Sequence, residues 1–245
     1  MKVKPFTVYV LLPTLAFAGY FAGLQFLPVF TKRLLHSEHG AIEWGTAVAF
    51  FVAAFLGARL LWKTQGMAPA WCRVLYGVFA AAGLMVALEE ISYGQKLFDW
   101  NSPEWFAEHN AKSETNLHNM FHNKPSNYLR AAATVGCPVC CLVLPVWLRR
   151  RGRGMQAGEW GHYLLPQAEL ATMAVLTLLL TLFNKIPSIK GMATWTGHLG
   201  ELKELYWGVV AVCYANILLR RITASHESGT TAEPHGQPCS HRKAA

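Results

Sequence analysis

Residues 74–95, VLYGVFAAAGLMVALEEISYGQ, decide how this chain is read. From Val74 to Leu88 there is no charged residue, and then two adjacent carboxylates follow, Glu89 and Glu90. A bilayer core about 30 Å thick is crossed by about 20 predominantly apolar helical residues. The stretch therefore reads as a membrane span with acids about one turn inside one of its ends.

Windows of the same kind recur along the chain. Six spans are expected, over residues 8–30, 41–62, 74–95, 129–148, 163–184 and 203–220, each bounded by charged, Gly or Pro residues. Composition agrees: 53% of the 245 residues are hydrophobic and only 15% are charged, with a mean hydropathy of +0.22, beyond what soluble domains carry. The expected fold is an all-α polytopic transmembrane bundle, with a short amphipathic helix in the loop between spans three and four. Residues 1–221 are expected to form one transmembrane domain and 222–245, polar and containing Gly and Pro, a disordered cytoplasmic tail. Lys2 and Lys4 ahead of an apolar run, with Ala16, Phe17 and Ala18 beyond, resemble a signal peptide, but the run continues to Phe30 and favours an uncleaved span.

Orientation follows from Lys and Arg, which resist translocation. With six spans the termini share a side, and that side holds 13 of the 22 basic residues against 9 on the other. This places both termini in the cytoplasm and sends the loops at 31–40, 96–128 and 185–202 outside. An uncleaved, Lys-led first span fits a bacterial inner membrane. The net charge of +8 is accounted for by these cytoplasmic loops and anionic lipid headgroups; no aromatic-basic pattern points to nucleic acid. The tryptophans, Trp44, Trp62, Trp71 and Trp147 among them, fall near span ends or in loops, where amphipathic rings anchor.

Acids and imidazoles collect on the external side. Glu89 and Glu90 end span three, His109, Glu114, His118 and His122 follow in the loop, and His198, Glu201 and Glu204 open span six; Glu38, His39 and Glu43 lie at the start of span two. Ionisable groups in a span cost about 2.5–3.5 kcal/mol at the bilayer centre and are usually functional. Neighbours on a helix point about 100° apart, so at least one of Glu89 and Glu90 should face the bundle. The alternative is a structural ion pair with Lys96 or Arg130.

In the loop, Ser113 reads as an N-cap and Pro125 as a stop, with Leu117, Met120 and Phe121 on one face of the helix between them. Glu114, His118 and His122 border that face at intervals of four. Side chains four apart can share one ion, whereas residues eight apart are separated by about 12 Å along the axis. The expected metal ligands are Glu114, His118 and His122 in part, with His198 and Glu201 from span six and Glu89 or Glu90 to complete the set. Mixed His/carboxylate ligation suits zinc or iron. The alternatives are solvated loop histidines and hydrogen-bonded interface histidines.

The segment EEISYGQKLFDWNSPEWFAEHNAKSETNLHN, Glu89 to Asn119, resembles a signature of uncharacterised bacterial multi-pass membrane proteins, E-E-x-S-[WY]-G-Q followed by N-x-x-x-E-x-x-L-H-N. The resemblance singles out Glu89, Glu90, Ser92, Gly94, Gln95, Asn110, Glu114, His118 and Asn119 and implies no reaction. A looser architectural likeness is to alkaline ceramidases and related membrane hydrolases, which hold zinc with three histidines near Ser and Asp. Their histidines lie within spans; His118 and His122 here lie in a loop.

Three functional readings follow. The first is a metal-dependent hydrolase acting on a lipid or lipid-linked substrate, with a metal-bound water attacking an ester or amide and Glu89, Glu90 and Ser92 as catalytic residues. The second is a proton- or cation-coupled transporter using the intramembrane acids; Pro138 and Pro166 interrupt spans four and five, but no matching halves are seen. The third is a thiol oxidoreductase using the C-x-x-C of Cys137 and Cys140, for which the external loop supplies no partner cysteine.

Overall fold

The computed structural model describes residues 6–35, 40–110, 113–117, 120, 124–151, 159–166, 170–185 and 193–230. With no water in a bilayer core, a lone apolar segment can satisfy its own N–H and C=O groups only as a helix, and the apolar runs take that form. The chain is all-α: α1 (Leu12–Phe26), α2 (Pro28–Leu35), α3 (Ala41–Lys63), α4 (Ala70–Glu90), α5 (Gln95–Phe98), α6 (Glu104–His109), α7 (Lys124–Pro138), α8 (Leu144–Arg150), α9 (Trp160–Leu164), α10 (Ala171–Lys185) and α11 (Ala193–Thr230). A wide π turn, Thr7–Leu11, leads into α1, and another, Val139–Val143, joins α7 to α8.

Among the described residues five helices are long and apolar enough to cross a membrane: Thr7–Phe26, Ala41–Lys63, Ala70–Glu90, Ala131–Leu148 and Leu199–Ser225. The expected span at 163–184 departs from this. It divides into α9 and the shorter apolar helix of α10, with Leu165 extended at φ −78° and ψ 130°. The cause is Pro166, whose ring disfavours helical geometry in the residue before it and which has no N–H to donate. Pro28 ends the first span in the same way: Leu27 leaves helical geometry and the helix stops at Phe26, short of Phe30. The last helix runs on to Thr230, so the tail boundary expected after residue 221 falls inside it; residues 231–245 lie outside the described residues.

α3 lies at the centre, packed extensively on both α4 and α11. Small residues make the close approach. A Cβ added at Gly83 would stand 3.2 Å from the Phe50 carbonyl oxygen, and one at Gly208 would stand 2.9 Å from the Ala49 methyl. Without a hydrophobic drive between helices in lipid, such close packing and interhelical hydrogen bonds supply the association. Tyr206 donates to the Pro13 carbonyl at 2.8 Å and Asn216 to the Tyr9 hydroxyl at 3.0 Å, tying the first span to α11.

Both π turns precede a proline. The Leu12 amide bonds the Thr7 carbonyl, and the Leu144 amide bonds the Val139 carbonyl, each five residues back. Pro13 and Pro145 follow directly, and neither has an N–H to restore the ordinary spacing. Both helices pack against α10.

One end of the bundle is closed by α9. Its last carbonyls have no partners within so short a helix, and side chains from α4 and α11 take their place: Arg221 donates to His162 at 2.9 Å, Tyr76 to Tyr163, and Tyr214 to Leu164 at 2.7 Å. The opposite end is where α4 stops, and there the polar residues gather.

Candidate functional site

α4 ends at Glu90 in a left-handed turn. Ser92, Tyr93 and Gly94 have φ of 49°, 53° and 95° in succession. Left-handed geometry costs about 1–2 kcal/mol for a residue with a Cβ, so two such residues in a row must be held by what surrounds them. The hold comes from the loop that returns over the turn. Ser92 is fully buried, and its hydroxyl donates to Glu114 Oε2 at 3.2 Å. Asn116, also fully buried, donates from Nδ2 both to Ser92 Oγ at 3.1 Å and to Glu114 Oε2.

Glu89 lies beside this group at 7% exposure. Its carboxylate accepts from the Tyr93 hydroxyl at 2.6 Å and from the Leu117 amide at 2.8 Å. Burial first, then the hydrogen bond to Glu89 and the carboxylate's charge, push the Tyr93 phenol up to about 12. Lys96 donates to Glu43 at 3.2 Å and to the Glu90 carbonyl at 3.1 Å, and its ammonium lies 3.9 Å from Glu114 Oε1. A small cleft beside it is lined by Glu43, Trp44, Glu90, Ile91 and Lys96. Lys96 thus pairs with Glu43 and Glu114, and the side chain of Arg130, the other partner expected for the Glu89/Glu90 pair, lies outside the described residues.

The amphipathic helix expected from Ser113 is not formed over the described residues 113–117, which bend, with Ser113 at φ 53°. The reason is competition for backbone donors. The Leu117 amide, which a helix capped at Ser113 would send back to the Ser113 carbonyl, bonds the Glu89 side chain instead, and the Glu114 and Thr115 amides bond those of Asn110 and Gln95. Asn110 also donates to the carbonyl and the side chain of Asn116, both at 2.8 Å, and Ser102 bonds Gln95, Thr115 and the Ser113 carbonyl. The loop does carry short helices, α5 and α6, and Pro125 stands in the first turn of α7, a position that needs no N–H.

Of the expected site residues, the structure brings Glu89, Ser92 and Glu114 together, with Glu90 adjoining through its carbonyl. His118 and His122 lie outside the described residues, as do Glu38 and His39. His198 and Glu201 stand on α11, and the His198 side chain is likewise outside them. Among the described residues no group of three or more His, Cys, Asp or Glu is placed to hold a metal ion. Asn116, Thr115, Ser102 and Tyr93 were not singled out from the sequence. The available signal was the density of amides and hydroxyls between Asn110 and Asn116, side chains suited to satisfying a loop's backbone.

Chemically, the group offers a hydroxyl on a carboxylate, an amide donor to both, and a second carboxylate paired with a phenol that stays protonated at neutral pH. Comparison with family models, curated proteins and solved structures finds no match to the chain.

Proposed function

We propose that this chain is an integral membrane hydrolase acting on a lipid or lipid-linked substrate, with Ser92, Glu114 and Asn116 as its reacting group. The observation that carries this is the Ser92 hydroxyl, buried on a left-handed turn in hydrogen-bond contact with both the Glu114 carboxylate and the Asn116 amide. Strained, over-determined backbone of this kind concentrates at functional sites. Glu114 takes the serine proton as Ser92 attacks an ester or amide carbon, and the Asn116 amide stabilises the oxyanion that develops. Glu114 returns the proton to the alcohol or amine as its bond to the carbonyl carbon breaks, and water, losing a proton to Glu114, then displaces Ser92 and releases the acid. Glu89 and Glu90 flank the group, Glu89 fixing the covering loop. An amphipathic substrate is favoured because the group lies at a bundle end, at the level of lipid headgroups.

Placement in a bacterial inner membrane, with both termini cytoplasmic and this end in the periplasm, belongs to the same proposal and rests on the distribution of Lys and Arg. Kinship with the multi-pass family bearing the E-E-x-S-[WY]-G-Q signature rests on that motif. A zinc or iron ion, if one binds, would be held by His118, His122 and His198 with Glu114 and Glu201, and would supply a metal-bound water as the nucleophile in place of the Ser92 hydroxyl.

The test is lipid hydrolysis by purified protein in nanodiscs made from bacterial lipid extract, followed by mass spectrometry. Ser92→Ala should abolish product formation, and Glu114→Gln should lower the rate about 10²–10⁴-fold. Product formed at the native rate by Ser92→Ala removes the serine mechanism. Elemental analysis of native protein beside His118→Ala/His198→Ala decides the metal: near-stoichiometric zinc or iron lost in the variant transfers the chemistry to a metal-bound water.

A second reading, proton- or cation-coupled transport, is favoured by one observation. The π turn before Pro145 lies within one span and the turn before Pro13 opens another, and both spans pack on α10; irregular helices of this kind line sites in transporters. Pyranine-loaded proteoliposomes acidifying under an imposed potential would support it; absence of flux in vesicles that hold their gradient would reject it.

A further inference from the structure

α3 and α11 pack side by side into the end of the bundle that α9 closes, and each carries a long uncharged stretch before its cations there. From Trp44 to Ala58 α3 has no charged residue, and Arg59 and Lys63 follow; from Leu205 to Leu219 α11 has none, and Arg220 and Arg221 follow. The two cationic levels coincide, because Lys63 donates to the Thr223 hydroxyl at 3.4 Å. Arg59 stands four residues before Lys63 and Arg220 three before Thr223, so each shares a helix face with one end of that bond. The adjacent arginines of α11 differ: Arg221 donates to the His162 carbonyl, whereas Arg220 is exposed. Arg59 and Lys63 are exposed as well, and among the described residues none of the three is paired with a carboxylate. The side chain of Glu227, one turn beyond Thr223, lies outside the described residues.

We propose that Arg59, Lys63 and Arg220 form a binding site for the phosphodiester headgroup of an anionic phospholipid. Guanidinium groups match phosphate oxygens with paired N–H donors, and Lys63 adds a compact charge. Three cations gathered where α3 meets α11 repel one another, and a phosphodiester between them relieves that repulsion. The occupant is a lipid and not free phosphate, because the surface continues into the membrane. Phe55, Val52 and Val48 stand four, seven and eleven residues before Arg59 on the same face of α3, all exposed. They make an apolar track for an acyl chain beneath the headgroup. The stems of Arg and Lys lie along such a surface while their charges reach the phosphate, and basic pockets between spans hold anionic headgroups in this way. A zwitterionic headgroup brings an ammonium into the same positive field and is disfavoured. The site lies at the opposite end of the bundle from Ser92, so it stands independently of any hydrolysis there.

The experiment titrates the delipidated, detergent-purified full chain with dioleoyl phosphatidylglycerol or dioleoyl phosphatidylcholine and counts retained lipid by native mass spectrometry. A phosphatidylglycerol should persist at collision energies that strip phosphatidylcholine. Arg59→Gln/Arg220→Gln should weaken its retention about tenfold. Arg150→Gln/Arg151→Gln, which removes the same charge at the end of α8, should leave it unchanged, and so should millimolar inorganic phosphate. Size-exclusion profiles check that the variants fold, and the comparison of the two lipids needs only the native chain. Equal retention of the two lipids, equal losses in the two double variants, or displacement by inorganic phosphate overturns the site.

Discussion

Glu89 shows how a carboxylate that costs energy in a membrane protein is stabilised: one oxygen takes the Tyr93 hydroxyl, the other the Leu117 amide. Charge-assisted hydrogen bonds contribute about 1.5–3 kcal/mol, and a buried donor left unmatched costs a similar amount. Glu89→Gln should therefore destabilise the loop by that order, seen as faster hydrogen exchange at the Leu117 amide with little change in α3. Tyr93 adds a pH dependence. Its phenol titrates at 10 when unperturbed and at about 12 in place, so above pH 10 the unfolded chain gives up this proton before the folded one. The stability it contributes is whole below pH 10 and is lost as pH rises towards 12. Unfolding followed across that window should fall less steeply for Tyr93→Phe than for the native protein. The sequence showed Glu89 and Glu114 as candidates because acids beside a span are conspicuous, and Ser92 through the E-E-x-S-[WY]-G-Q signature. It did not show Asn116, which meets Ser92 from 24 residues away only because the loop returns over the turn, nor Tyr93, which reaches Glu89 four residues back only because the turn is left-handed.

At the scale of elements, the helices were legible wherever an apolar run was long, as in α3 and α4, since lipid leaves the backbone little alternative. The failures share a physical origin. From Ser113 to Leu117 the pattern fitted a helix, yet backbone amides there bond side chains from other elements, a competition invisible to local periodicity. At Pro166 the apolar run continued while the helix could not. The pairing of α3 with α4 depends on Gly83, where a Cβ would press on the Phe50 carbonyl and on the Ala54 backbone nitrogen at 3.3 Å. Backbone atoms do not step aside as a flexible side chain does. Gly83→Val should cost about 1–3 kcal/mol from overpacking, read as a lowered midpoint of unfolding in mixed detergent micelles, whereas valine at Gly19, with nothing within 4 Å, should shift it little.

For the whole molecule, the five long helices and the shorter α10 together return the chain to its starting side if α10 also crosses, which places the Glu89–Glu114 group and the α9 plug at opposite faces. Reporter fusions after residue 230 should be active only as cytoplasmic reporters, and those inserted at Asp99 only as periplasmic ones; the reverse pattern would overturn the orientation. The length of α10 bears on more than topology. Its apolar stretch, Ala171–Phe183, rises only about 20 Å, and the residue before the break, Leu165, is 2% exposed, as Leu170 beyond it is fully buried. A hydrocarbon layer about 30 Å thick exceeds that length, so if α10 crosses, either flanking residues complete the span or the layer thins beside it. In the second case the chain would be held more stably among lipids of shorter acyl chain, and a higher midpoint of unfolding there than in longer-chain bilayers would show it.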